Sequence, residues 1–500
     1  MLASLMSARR FWPLFWSQFF SAFNDNFIKQ ALIVLAVYGI AQTAPMEGSN
    51  SLVSLASALL VAPGLILSGL AGQMADRYDK ARVARQIKLA EIAIVAIAAV
   101  GFALHSMPIL LVSMLTLGIM GTLFTPVKYG ILPDHLAPEE LPAGNGLIEA
   151  GTFLSILIGI IGAGFVAPHL PSWIVAAIMV AVAVACWWFA RLIPPTGEAA
   201  PDLKVDWNII RSSYQLVQLV ASDRKLLIGS LAVAWFWMSG IVILSLTPSL
   251  AHSVIGGDGT LNTWFTTAFS IGIAIGSILA ARLATGRIIV LLSPIGCILM
   301  GLFCLDVAWI AFGTERSATP LHFLSYLATG SGVHMTLALV LVALAAGLFI
   351  VPIYAAVQHW APKDERARVI AGGNVITALF MTVGAGGLSL LQGKFGLTTP
   401  TALLGIAVLD IIAGVILLYV LPMSRFRDFI LLLYRLLYRL EVKGIENLET
   451  PTPHRIIAIN HVSFLDAGLV LALLDKDPVF AIDHTIAKAW SGRADRPGRS

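Results

Sequence analysis

Charge is what this chain has least of. Asp, Glu, Lys and Arg supply 12% of its 500 residues, against about a quarter in soluble domains, and so small a polar complement cannot clothe a water-exposed globule. The net charge of +4 is slight for this length, which excludes the dense cationic surface that a nucleic-acid partner requires. Cysteine is scarcer still. Cys186, Cys297 and Cys304 lie inside apolar segments with no paired or metal-ligand spacing, which excludes a disulfide framework and assigns them to packing. Neither a metal nor a cofactor is expected. A cleavable leader is not expected either: the first apolar run is broken by Asn24-Asp25-Asn26, resumes afterwards and lacks a small-residue cleavage site, so it should persist as the first helix.

Apolar residues are what the chain has in excess. They make up 58% of the sequence and give a mean hydropathy of +0.86, the composition of an integral membrane protein. Runs of roughly twenty residues, the length that crosses about 30 Å of hydrocarbon, recur near 12–41, 51–74, 87–106, 108–131, 144–168, 172–194, 226–251, 260–284, 287–312, 334–358, 368–392 and 399–422. The expected fold class is an all-α membrane protein of about twelve transmembrane helices.

Cationic residues concentrate in alternate connections. Arg9 and Arg10 precede the first run, and Arg77, Lys80, Arg82, Arg85 and Lys88 fill the second-to-third connection. Lys204, Arg211, Arg224 and Lys225, then Arg282 and Arg287, then Lys363, Arg366 and Arg368 occupy later even-numbered connections, with Arg316 and Lys394 the exceptions. By the positive-inside bias both termini lie in the cytoplasm and the number of spans is even. The stretch 313–333 leaves room for a short or re-entrant segment.

The chain also echoes itself. Pro126-Val127-Lys128-Tyr129, Ala137-Pro138-Glu139-Glu140 and Gly144-Asn145-Gly146 are answered by Pro352-Ile353-Tyr354, Ala361-Pro362-Lys363-Asp364-Glu365 and Gly372-Gly373-Asn374. Two six-helix halves follow, 1–194 and 223–423, joined by a cytoplasmic linker over 195–222 that is richer in Pro and charge. Glycine-rich helices follow each Asn and are expected to be close-packing surfaces.

The second-to-third connection reads Gly72-Gln73-Met74-Ala75-Asp76-Arg77-Tyr78-Asp79-Lys80-Ala81-Arg82. It resembles the loop signature of the major facilitator superfamily. That resemblance implies that Gly72 lets two helices approach, that Asp76 caps a neighbouring helix, and that Arg77 and Arg82 take part in the charge pairing of a cytoplasmic gate. Asp79 stands where the family often has glycine. Within the superfamily the chain resembles the bacterial lysophospholipid transporters, including those fused to an acyltransferase, through Phe23-Asn24-Asp25-Asn26-Phe27 with Lys29, Phe124-Thr125-Pro126-Val127-Lys128-Tyr129, Asn145-Gly146-Leu147-Ile148-Glu149 and Val351-Pro352-Ile353-Tyr354. The resemblance implies inward movement of lysophospholipids, chiefly lysophosphatidylethanolamine and lysophosphatidylglycerol, across the bacterial inner membrane by alternating access for re-acylation. The implied partners are the lysophospholipid substrate, membrane lipids, and acyl carrier protein or a separate acyltransferase or acyl-ACP synthetase chain.

An ionisable side chain inside a span costs several kcal/mol unless it is paired or meets water, so each is a candidate site. Asp25, between Asn24 and Asn26, is expected to receive an ethanolamine ammonium or a proton; the alternative is that Asp25 and Lys29, one turn apart, neutralise each other. Lys128 is placed either to meet a lipid phosphate or to snorkel to the interface. Glu149 is placed to pair with Lys128 or to gate the bundle interior. Asp306 and Asp410 are expected near a membrane surface.

Beyond the twelfth run, residues 424–441 combine apolar bulk, tyrosines and arginines, the make-up of a helix lying in an anionic leaflet or of a connector packed on protein. Arg455-Ile456-Ile457-Ala458-Ile459 predicts a buried strand ending at Asn460 and His461, within an incomplete α/β segment over 442–490. Asn460-His461-Val462-Ser463-Phe464-Leu465-Asp466 resembles the glycerolipid acyltransferases, which implies His461 as general base on a lysolipid hydroxyl with Asp466 fixing its tautomer. The later blocks of such a domain are missing, and residues 491–500 turn polar and rich in Gly, Arg and Pro, as in a disordered or frame-shifted tail. The pair is therefore expected to be vestigial and the chain to be a transporter first. A membrane-anchored acyltransferase and an exporter of small amphiphiles are the alternative readings.

Overall fold

A computed structural model of the chain describes residues 1–38, 49–438 and 465–473. Among them the regular structure is helical, and the one extended pairing is an isolated bridge between Gly257 and Leu321. A short α1 (Leu2–Ser7) leads into α2 (Trp12–Tyr38), α3 (Ser49–Arg77), α4 (Lys80–Ala103), α5 (Met107–His135), α6 (Leu141–His169) and α7 (Ser172–Arg191). After α8 (Ile209–Ser222) come α9 (Arg224–Ser249), α10 (Gly259–Leu283), α11 (Leu292–Gly313), a short α12 (Phe323–Leu327), α13 (Gly330–Trp360), α14 (Arg366–Phe395) and α15 (Thr399–Val420). Beyond them lie α16 (Arg425–Leu437) and α17 (Leu465–Leu473).

Twelve of these helices run to 20 residues or more, and ten are long and apolar enough to cross a membrane. The ten do not include α2 and α3, so length and composition give ten spans among the described residues where the sequence predicted about twelve. In α2 the cause is visible: Asn24, Asp25, Asn26 and Lys29 dilute its apolar run, although its 27 residues reach about 40 Å at 1.5 Å per residue.

Acidic caps set where several helices begin. Asp79 accepts the Arg82 N–H at 2.8 Å ahead of α4, Asp223 the Lys225 N–H at 2.7 Å ahead of α9, and Asp258 the Thr260 N–H at 2.9 Å ahead of α10. Each satisfies a first-turn donor and puts negative charge at the positive helix end. Because Asp79 starts α4 at Lys80 and not near residue 87, Lys80 and Lys88 are not loop cations. Both are fully buried helical residues. The linker is likewise more ordered than its composition suggested: Asn208 caps α8 through the Arg211 N–H at 3.0 Å, and α8 buries Ser212, Leu216 and Val220 along one side.

The internal echo reappears as helix pairing. In the first half α2 packs on α6, α3 on α5 and α4 on α7; in the second α9 packs on α14, α10 on α13 and α11 on α15. First meets fifth, second meets fourth and third meets sixth in both. The halves meet along α3–α14 and α6–α10. These contacts need backbones to approach closely. A Cβ on Gly72 of α3 would stand 2.5 Å from the Ala371 Cβ on α14, and one on Gly146 of α6 would stand 2.7 Å from the Ser277 carbonyl oxygen on α10.

By compactness the chain divides into two units, Met1–Pro422 and Met423–Ser500. In the second, the Tyr434 hydroxyl on α16 donates to the Leu465 carbonyl at the head of α17. α16 buries Asp428, Leu431 and Leu432 and exposes Phe426, Phe429, Leu436 and Leu437. The strand expected over 455–459, and Asn460 and His461 at its end, lie outside the described residues.

Candidate functional site

The first half holds six ionisable side chains deep in its helices: Asp25 and Lys29 on α2, Lys88 and Glu91 on α4, Lys128 on α5 and Glu149 on α6. The second half, among the described residues, buries one charged side chain, Asp410. Helical packing therefore gathers three cations and three anions on one side of the bundle.

Their pairing is uneven. Lys88 is saturated: its Nζ lies 2.7 Å from Glu91 Oε1, 2.7 Å from Ser21 Oγ and 3.9 Å from the centroid of the Phe124 ring. Glu149, 1% exposed, accepts the Tyr129 hydroxyl at 2.5 Å. Lys128 differs. It is 8% exposed and its ammonium sits 4.3 Å from the Tyr129 ring centroid, with Glu149 and Lys88 acting on it through space, yet it makes no hydrogen bond or ion pair with any described residue. Asp25 is half-buried and also lacks a hydrogen-bonded or ion-paired partner among the described residues; the charges of Glu91, Lys88 and Lys29 act on it at longer range. No ion pair closes between Asp25 and Lys29. Beside them the Asn24 side-chain oxygen is buried without a donor, while Asn26 is spent on the Ala22 carbonyl of its own helix at 2.9 Å.

Asp410 lies midway along α15 and not near a surface. It is 0% exposed and accepts Trp235 Nε1–H and Ser239 Oγ–H, each at 2.9 Å. Asp306 is partly buried on α11, its carboxylate 2.9 Å from His334 Nε2.

A second constellation closes the end of the bundle where α3 gives way to α4 and α13 to α14. Asp76, 0% exposed, accepts the Ala367 N–H at 2.9 Å and the Arg368 N–H at 3.0 Å, capping α14 of the opposite half, and pairs with Arg368 Nε at 3.3 Å. Asp134 bridges Lys80 at 3.0 Å and Arg366 at 3.3 Å, again across the halves. Arg77 lies over the Tyr78 ring at 5.3 Å, and Arg82 is exposed. The charge pairing at this end is carried by Lys80, Arg366 and Arg368. Asp79 also accepts the Thr196 and Gly197 N–H groups at 2.8 and 2.7 Å, tying the linker to the α3–α4 turn. Partial burial raises its carboxyl, but these bonds and that from Arg82 outweigh it and hold the group below its ordinary value.

Sequence reasoning singled out Asp25, Lys128 and Glu149 and passed over Lys88, Glu91, Tyr129, Asp134, Tyr354 and Gln358. For Lys88 and Glu91 the i, i+3 charge spacing was the available signal. His461 lies outside the described residues, and Asp466 stands in the first turn of α17.

The sequence profile of the Major Facilitator Superfamily matches residues 14–343. A relative named lysophospholipid transporter LplT, from Yersinia pestis (strain Pestoides F), is 26% identical over 369 residues, covering 72% of this chain and 80% of that protein. Among solved structures the human organic anion transporter MFSD10 superposes with a TM-score of 0.65 at 16% identity, over 81% of this chain and 99% of that one. The E. coli fucose:proton symporter gives 0.62 at 12% identity, over 80% and 96%.

Proposed function

The chain belongs to the Major Facilitator Superfamily, and on that premise we infer that it carries lysophospholipids across the bacterial cell membrane. The observation that carries this reading is Lys128. A buried ammonium without hydrogen bond or ion pair is costly in an apolar bundle, and the cost is recovered when an anion arrives. A lipid phosphate is such an anion. Asp25, also without a close partner, stands in the same half and suits the ammonium of an ethanolamine headgroup. The name of the Yersinia relative supports the same cargo class.

Movement by alternating access belongs to the proposal. The halves meet chiefly along α3–α14 and α6–α10, with lesser contacts of α6 on α13 and of α5 on α14, and breaking the Asp76 and Asp134 contacts would open that end while other contacts form at the opposite one. A lysolipid delivered inward is a substrate for re-acylation, so acyl carrier protein or a separate acyltransferase chain is the partner implied.

Binding to the purified chain tests the assignment headgroup by headgroup. Lys128→Gln should weaken both lysophosphatidylethanolamine and lysophosphatidylglycerol by about tenfold or more, the worth of roughly 1.4 kcal/mol. Asp25→Asn should weaken only the ethanolamine lipid. Wild-type affinity of both variants for both lipids would remove the site.

A further inference from the structure

Asn145 and Glu149 stand one turn apart on α6, and Tyr354 and Gln358 one turn apart on α13. Two rungs join these faces across the halves. In one, Asn145 Nδ2 lies 2.7 Å from Gln358 Oε1 and Gln358 Nε2 lies 3.0 Å from Asn145 Oδ1, a reciprocal and fully buried amide pair. In the other, Glu149 holds the Tyr129 hydroxyl at 2.5 Å, and the Tyr129 ring stacks on that of Tyr354 at 4.6 Å between centroids. Trp237 Nε1–H completes this rung by donating to the Tyr354 hydroxyl at 3.0 Å.

The two tyrosines come from the echoed segments of the two halves, so the stack joins corresponding places in them. The echo is inexact, and one of its differences changes the charge: Lys128 precedes Tyr129, whereas Ile353 precedes Tyr354. Only the first half brings an ammonium to the stack. Glu149 is near enough for its charge to act on that ammonium but does not close to a salt bridge, and its Oε1 is engaged by Tyr129. The other charge acting on Lys128 is Lys88, which Glu91 neutralises.

Resting on the reading of a phosphate-bearing cargo, we propose that Glu149 is a positioning residue that stands in for the cargo phosphate at Lys128 and latches the two halves until the phosphate displaces it. In the empty site the Glu149 charge balances Lys128 from a distance, while its oxygen fixes Tyr129 against Tyr354. An arriving phosphate takes the ammonium, repels the carboxylate and loosens the tyrosine rung, leaving the neutral amide rung to part. Headgroup binding and opening of that end are thereby one equilibrium, and coupling between them is reciprocal. Glu149→Gln keeps an oxygen for the Tyr129 hydroxyl but removes the competing charge. Tyr129→Phe keeps the ring stack but removes the bond to Glu149.

Spin labels at Ala137→Cys and Lys363→Cys, exposed positions on the two halves at this end, report the separation by pulsed electron resonance in nanodiscs; the three native cysteines are buried and escape labelling. Lysophosphatidylethanolamine should lengthen the distance in the wild-type chain, and inorganic phosphate alone should do so only weakly. Glu149→Gln should reach half-response at about tenfold lower lipid, within the usual range of coupling free energies, and Tyr129→Phe should lengthen the distance without lipid. A merely structural Glu149 would lower thermal stability in both variants and leave the half-response concentration at the wild-type value, and that result overturns the latch. If the wild-type chain ignores the lipid while Glu149→Gln separates the labels unaided, the cargo reading falls and the latch stands. If the wild-type chain responds and Glu149→Gln matches it, the latch falls and the cargo reading stands.

Discussion

Lys88 and Lys128 share a residue type and one half of the bundle, and they differ in partners. Glu91 and Ser21 hold Lys88, so Glu91→Gln strands a buried ammonium and should cost about 3–5 kcal/mol, measured as a fall in thermal midpoint in detergent. Lys128→Gln breaks no hydrogen bond or ion pair and removes only a balancing charge at longer range from Glu149, so it should lower that midpoint less than Glu91→Gln does. The sequence showed both lysines and could not show this difference, because pairing depends on Ser21 and Phe124 from other helices and on where α4 begins. Asp79 makes a pH prediction. Its folded pKa is held below the ordinary 3.8. For a depressed carboxyl the stabilisation is present above the unfolded value and is lost as pH falls through the folded one, so the grip of the α3–α4 turn on residues 196 and 197 should loosen below about pH 4. Proteolytic nicking of the linker against pH checks it: Asp79→Asn should lose the acid-dependent step.

At the scale of elements, α3 and α14 meet where Gly72 leaves no room for a side chain. Gly72→Val must push Ala371 or the Ala367 carbonyl away, an overpacking cost of about 1–3 kcal/mol. The strain acts on a contact between the halves, so it should appear as greater thiol accessibility at this end and not as global unfolding; a lower thermal midpoint with unchanged accessibility would count against the gate. The glycine was legible as a close-approach residue from its loop. Its contact was not, because Ala367 and Ala371 lie in the other half of the chain. α8 is a different case. Asn208 as cap and Ser212, Leu216 and Val220 at helical spacing were present in the sequence, but the Pro and charge content of residues 195–222 outweighed a periodicity only 14 residues long. Asp79, read as part of the second-to-third connection, is the start of α4.

At the scale of the molecule, the repeated motif led to the expectation of two halves, and α2–α7 and α9–α15 pair their long helices in the same order. What the repeat could not convey was the break in its symmetry, with the deep charges on one side and largely apolar packing around Asp410 on the other. That asymmetry suits an amphiphile whose headgroup and chain need different surroundings, and it underlies the central claim. The most direct measurement is the rate at which labelled lysophosphatidylethanolamine, placed in the outer leaflet of liposomes containing the purified chain, becomes inaccessible to albumin extraction. The rate should exceed that of protein-free liposomes, and this protein-dependent increase should exceed that for a monoacylglycerol with the same chain, which lacks the phosphate for Lys128. Equal rates with and without protein, or an equal protein-dependent increase for the two lipids, would contradict the account.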